Sequence, residues 1–316
     1  MLSNKFKTPK IKFYLRLKFL AAVFALLLAM PCKAQLLDCS KNLFSEEPFF
    51  NSCFIQEHKI RSITGELHYK RDYEKMYSKD AIIRYDFDEK GRLTRQLSTF
   101  KNYTGALDSA IIFYYYDEYD RLITKRTSDA FGFYSLNYEY NEKDNLVKET
   151  YCRDMNANNS KSNFILGKQY PMGYETFKYE YLTPAQYKIK QLNNLGVSYK
   201  EIIVNKNENG YIIEEEGRFV VTGKIEKQVF TYDTKNRIIE KRDYSNISGE
   251  NEIIYKYRFD ETGNVLEMGK LKNDNIIPVR TEFLYSNVPS LISAQISRDK
   301  SKKTIDIIKY SYEFYE

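Results

Sequence analysis

Tryptophan is absent from this chain of 316 residues, which holds only two histidines and four cysteines. His58 and His68 form neither an HExxH pair nor a recurring metal triad, so no metal site is expected. A GxSxG elbow, a Walker sequence and a dinucleotide fingerprint are all missing, which removes the chemistries those loops support. No catalytic residue and no cofactor is assigned. After residue 34 no long apolar run occurs, and amphipathic helical patterning is hard to find.

What is present begins with an export signal. Lys5, Lys7, Lys10, Lys12, Arg16 and Lys18 precede an apolar run of 12 residues, Phe19 to Met30, and Cys32-Lys33-Ala34 offers a cleavage site before Gln35. Residues 1–34 are therefore expected to be a signal peptide. The run falls short of the roughly 20 residues that a spanning helix needs. A lipoprotein reading through Cys32 is disfavoured by Pro31 directly before it. Cleavage removes seven Lys/Arg and no Asp/Glu, turning a net charge of +6 into 42 against 43, or −1. The basic balance belongs to the leader, so no nucleic-acid partner is expected. No stable transmembrane segment is expected after cleavage.

Export also permits disulfides. Cys39, Cys53 and Cys152 remain, and Cys39–Cys53 is the favoured pair because it encloses a short loop. Cys152 is then free, buried or paired elsewhere, or it competes for one of the other two. Residues 35–79 are expected to be an N-terminal cap region.

From residue 80 to the end a turn signature recurs. Asp88-Glu89-Lys90-Gly91-Arg92-Leu93 returns at Asp117–Leu122, Asn141–Leu146, Asp233–Ile238 and Asp260–Val265, each copy behind an alternating aromatic pair such as Tyr85/Phe87 or Tyr114/Tyr116. Alternation puts both rings on one strand face. The leading Asp88, Asp117, Asn141, Asp233 or Asp260 accepts from a backbone N–H two residues on and starts a turn. Gly91, Asp120, Asp144, Asn236 and Gly263 follow three places later, where a left-handed bulge residue closes a hairpin. Degenerate copies near 182, 205 and 286 extend the series at intervals of 23 to 29 residues, except for one of 41 that holds an inserted polar loop near 153–170. No such hairpin has a core of its own, so each leans on the next. The fold expected is all-β: repeated antiparallel β-hairpins in a long twisted sheet, curled or partly closed around aromatic side chains.

At these residues the chain resembles the YD-repeat, or Rhs-repeat, family of exported bacterial proteins, whose motif is aromatic, any residue, aromatic, Asp, two variable residues, Gly, Arg, Leu. Residues 85–93 match it nearly throughout, and 114–122, 230–238 and 257–265 depart at one or two positions. The resemblance implies hairpin sheets that wrap into a shell and an extracellular or envelope setting. The lysine- and tyrosine-rich composition is similar to small proteins exported by Bacteroidetes. With few repeats, and with the last of them near the end of the sequence, neither a large closed cocoon nor a C-terminal toxin domain is expected.

The function expected is an exported, non-enzymatic scaffold or binding module of the periplasm, the outer-membrane surface or the secreted medium, with an envelope protein or glycan as partner. Tyr115 and Tyr119 are the candidate ligand surface, and the 155–163 loop a candidate contact. Alternatives are a carbohydrate-active hydrolase, with a clustered carboxylate pair in a concave pocket as its mark, or a secreted effector or its accessory protein.

Overall fold

The computed structural model describes residues 35–38, 50–129, 131–158, 160–272, 279–286, 290–299, 302 and 304–316. The leader and Cys39 lie outside them. Among the described residues one short helix, α1 (Ser52–Glu57), precedes eighteen strands. They are β1 (Ile60–Arg71), β2 (Met76–Phe87), β3 (Leu93–Lys101), β4 (Leu107–Tyr116), β5 (Leu122–Asp129) and β6 (Gly132–Tyr140). There follow β7 (Leu146–Asn156), β8 (Leu166–Thr183), β9 (Gln186–Leu192), β10 (Ser198–Lys206), β11 (Ile212–Phe219) and β12 (Ile225–Tyr232). The last six are β13 (Ile238–Ser245), β14 (Asn251–Phe259), β15 (Val265–Lys272), β16 (Val279–Tyr285), β17 (Ile292–Asp299) and β18 (Thr304–Phe314).

Each strand pairs antiparallel with its chain neighbours, and β18 pairs with β1 from Arg71↔Thr304 to Ser62↔Glu313. The sheet is thus a closed up-and-down barrel of 18 strands. This corrects the expectation of a merely curled or partly closed array, and it overturns the expected repeat-family shell. Closure leaves no edge strand to invite association. It also corrects the expectation that a transmembrane segment is absent. A closed barrel satisfies every ladder group internally, which is how strands cross a bilayer. That no described helix is long and apolar enough to span says nothing about such strands.

The motif turns explain the strand ends. Gly91 N–H donates to Asp88 O at 2.9 Å, and Asp88 N–H to Arg92 O at 3.0 Å. Asp88 Oδ1 also accepts from the N–H groups of Lys90 and Arg92 at 3.0 and 2.9 Å. The leading residue accepts from the same two backbone positions at Asp117, Asn141 and Asp233. The bulge residue has positive φ in each strong copy: 76° at Gly91, 62° at Asp120, 58° at Asp144, 59° at Asn236 and 101° at Gly263. A meander brings alternate turns to the same end, so all motif turns share one rim, called here the motif rim. The intervening turns form the far rim.

Neighbouring repeats are tied by two recurring contacts. The second aromatic of one repeat donates its hydroxyl to the carbonyl that opens the preceding return strand: Tyr116 to Leu93 O (2.9 Å), Tyr140 to Leu122 O (2.8 Å), Tyr232 to Ile212 O (2.7 Å), Tyr285 to Val265 O (2.9 Å) and Tyr312 to Ile292 O (2.8 Å). The turn arginine of one repeat lies over the second aromatic of the next, Arg92 over Tyr116 at 4.8 Å, Arg121 over Tyr140 at 5.2 Å and Arg237 over Phe259 at 4.4 Å. Arg92 also reaches Asp120 at 2.6 Å, and Arg121 reaches Asp144 at 2.9 Å. Tyr140→Phe is expected to cost about 1 kcal/mol through the lost hydrogen bond, read as a shifted urea midpoint.

The main core lies inside the motif rim. Phe54 and Ile55 of α1, with Leu36, pack against Phe87, Leu93, Tyr114, Val265, Phe283 and Ile292 from strands on many sides of the ring. Asn51 caps α1 by accepting from Phe54 N–H at 3.4 Å, and its amide holds Gln35 O at 2.9 Å. Leu36 and α1 therefore close off this end of the barrel. Convergence on α1 also identifies the inner face of each strand.

The outer face is charged. Arg84 contacts Asp86 at 2.8 Å and Glu313 at 2.7 Å, Lys227 contacts Glu214 at 3.0 Å, and Glu267 takes both Arg258 and Arg280 at 3.0 and 2.9 Å. One outer patch is covered. Phe164, from the polar loop between β7 and β8, packs on Phe133 with ring centroids 4.6 Å apart and beneath Arg126 at 4.6 Å. Arg126 there pairs with the fully buried Asp154 at 2.6 Å.

Candidate functional site

Above the α1 floor, the inner face changes from apolar to charged. Tyr114 faces the core, and its cross-strand neighbour Lys125 shares that face. The same layer continues through Glu149, opposite Tyr138 on β6, and Glu175, opposite Glu149 on β8. Glu175 accepts from Gln191 at 2.6 Å and from the Tyr199 hydroxyl at 2.8 Å. Burial, then the nearby Glu175, pushes the Glu149 carboxyl above its ordinary range. Burial also raises the Tyr199 hydroxyl, with Glu175 adding to it.

Towards the far rim, β10 to β14 enclose a cavity of about 460 Å³, lined among others by Lys200, Glu215, Glu226, Gln228, Asp243 and Asn251. Lys200 is held by Glu226 at 2.6 Å and lies 5.0 Å from the Phe219 ring. Lys241, 3% exposed, is held by Asp243 at 2.8 Å and sits over Tyr255. Burial raises the Glu215 carboxyl despite Lys241 and Lys200 nearby. Asp243 Oδ1 and Asn251 Oδ1 are buried acceptors without a hydrogen-bond partner among the described residues. A site of this chemistry takes a molecule that brings donors.

The residues singled out from sequence lie elsewhere. Asp88, Asp117, Asn141, Asp233 and Asp260 occupy motif-rim turns, their side-chain oxygens engaged by backbone N–H groups. Lys90, hydrogen-bonded to Asp120, holds that carboxyl below its usual range. Tyr115 is on the outer wall under Arg126 at 5.1 Å, while Tyr119 is in a motif-rim turn against Arg121 at 5.0 Å. The structure does not gather them with the lumen. Cys53 is an exposed free thiol and Cys152 a buried one; the expected Cys39–Cys53 pairing involves a residue outside the description. His58 stacks on Phe54 at 4.0 Å, and His68 sits 3.6 Å from Glu66. No His, Cys, Asp and Glu grouping among the described residues could hold a metal ion.

Sequence reading missed the lumen residues. Lys125, Glu149, Glu175 and Glu215 alternate with outward polar residues, so nothing in the period marks one charged face as the inner one. Their only signal is register, counted inward from the aromatic positions of each motif.

No family model matches the chain, and no curated protein matches it. Among solved structures, it is similar to a porin-like protein from Bacteroides uniformis, at 13% identity over 80% of this chain and 98% of that one, with a TM-score of 0.38. A porin-like protein from Bacteroides vulgatus is similar at 8% identity, with the same coverage and a TM-score of 0.34. At such TM-scores the likeness carries no argument about this chain. The expected membership of the YD-repeat family does not stand, because no family model supports it and the strands close into an 18-stranded barrel.

Proposed function

We propose that this is an exported, non-enzymatic binding barrel of the bacterial envelope that holds a small, donor-rich polar ligand in its lumen. The observation that carries the reading is the pair of buried, unpartnered acceptors, Asp243 Oδ1 and Asn251 Oδ1, beside a cavity of about 460 Å³. An unmet buried acceptor costs about 1–3 kcal/mol, which a ligand ammonium or hydroxyl recovers. The leader supports the envelope setting. Calorimetry of the mature chain against amino sugars, polyamines and neutral disaccharides tests the reading. At least one class is expected to bind, with affinity falling about tenfold in Asn251→Leu, a loss of about 1.4 kcal/mol. Absence of binding by every class at about 1 mM contradicts it.

A second reading rests on Glu149 and Glu175. A carboxyl raised by burial beside a second carboxylate is the pattern of a general acid and its partner in glycoside hydrolysis. Release of reducing ends from envelope polysaccharide by the wild type, abolished in Glu149→Gln, favours the hydrolase. No release from either protein leaves the binding reading in place.

A further inference from the structure

Two far-rim turns share the motif-turn geometry but not the chemistry of its tips. On the far rim, Gly105 N–H donates to Asn102 O and Gly196 N–H to Asn193 O, both at 2.9 Å, and both glycines have positive φ, as in the motif turns. Turn geometry therefore does not dictate the tip residues. On the motif rim the first tip position holds Glu89, Glu118, Glu142, Glu208, Thr234 or Glu261. Far-rim tips instead present Tyr73, Tyr103, Phe131, Leu195 and Val221, all between 80% and 106% exposed. Tyr119 and, at the end of β8, Tyr181 are aromatic exceptions on the motif rim; Arg121 lies against the first ring and Lys143 against the second.

We propose that the far rim is a docking crown for a phospholipid bilayer surface, into which the five tips insert as separate anchors. The tips stand on a closed ring. Strands about 4.8 Å apart place neighbouring far-rim turns roughly 10 Å from each other, so they form a circle of points with no contiguous apolar face. A protein partner would need a matching crown, whereas a bilayer surface accepts each side chain independently at its interface, where aromatic and aliphatic side chains are favoured. The wall does not offer the same contact. Where it carries Arg–Glu and Lys–Glu pairs the wall presents charge, so the apolar contact proposed here is at the rim. The far-rim turns carry both signs, Lys75, Lys101, Lys161, Lys224 and Lys302 against Asp72, Glu74, Asp129, Glu250 and Asp299, and the sequence between β17 and β18 adds Lys300 and Lys303. Zwitterionic lipid is therefore the probe that separates apolar insertion from any contribution of these lysines.

The test is sedimentation of the mature chain with phosphatidylcholine vesicles. Wild type is expected to pellet with them. The combined Tyr103→Ser, Phe131→Ser, Leu195→Ser and Val221→Ser variant is expected to lose at least tenfold in partition, with an unchanged thermal melt, because each of these side chains is exposed. Tyr119→Ser on the opposite rim is expected to bind as wild type does. If the fourfold variant fails to fold, Phe131→Ser alone, with a partial loss, serves the same purpose. A wild type that stays in the supernatant overturns the proposal, as does a folded variant that pellets unchanged. So does a wild type that binds envelope proteins and no vesicles.

Discussion

Gly91→Ala is expected to destabilise the protein by about 3 kcal/mol or more, whereas Gly105→Ala costs only about 1–2 kcal/mol, the strain of a left-handed alanine. The two glycines sit in matching turns on opposite rims, with φ of 76° and 81°. Their surroundings differ. A Cβ at Gly91 would come within 2.0 Å of the Ser52 carbonyl oxygen and 2.9 Å of Gln56 N, both on α1, while one at Gly105 meets nothing within 4 Å. Backbone cannot swing aside as a side-chain tip can, so the alanine must lift α1. Lifting it exposes Phe54 and Ile55, which are 1% and 0% exposed, and each such burial is worth about 1.5–3 kcal/mol. Urea unfolding of both variants measures the difference. Equal losses would mean that α1 does not seal the motif rim.

Arg126→Met is expected to cost about 3–5 kcal/mol, because it strips the buried Asp154 carboxyl of its ion-pair partner. Among the described residues Asp154 would retain the Gln169 amide at 2.8 Å. The double variant Arg126→Met with Asp154→Leu is expected to recover most of that loss, since removing both charges also removes their desolvation. Thermal or urea melts of the two singles and the double give the coupling directly. A double variant as unstable as Arg126→Met would show that shape against Tyr115 and Phe164, and not charge, is what holds this patch.

The hairpin was legible in the sequence because its chemistry is local. An Asp or Asn that must accept from two N–H groups, and a residue that must take positive φ, are fixed within six positions. The degenerate copy expected near 205 is the same turn two residues on, at Asn207, whose Oδ1 accepts from Asn209 and Tyr211 at 3.0 and 2.9 Å. It was obscured because Val204 and Lys206 stand where the aromatic pair usually does. Closure was not legible. Pairing β1 with β18 depends on tilt and register accumulated over the whole ring, to which no short segment commits. The same gap explains the resemblance that failed, since the motif encodes a turn and says nothing of how many turns complete a circle. The lumen was hidden for a related reason. Near α1 the inner layer is aromatic and dry, but farther along the same strands it is charged. Only the count of residues from the sealed rim separates the two.

The account depends most on the barrel being closed, and a disulfide across the seam tests that directly. Thr64 and Ser311 face each other between β1 and β18. Antiparallel partners have Cα atoms about 4.5–5.5 Å apart, inside the range of about 4.4–6.8 Å that a disulfide bridges. Thr64→Cys with Ser311→Cys, in a mature chain with its own cysteines replaced by serine, is expected to oxidise to a monomer of faster electrophoretic mobility. In an open sheet of 18 strands the two positions would lie roughly 80 Å apart, at about 4.8 Å per strand. A product that is only reduced monomer or intermolecular dimer would contradict the closed barrel.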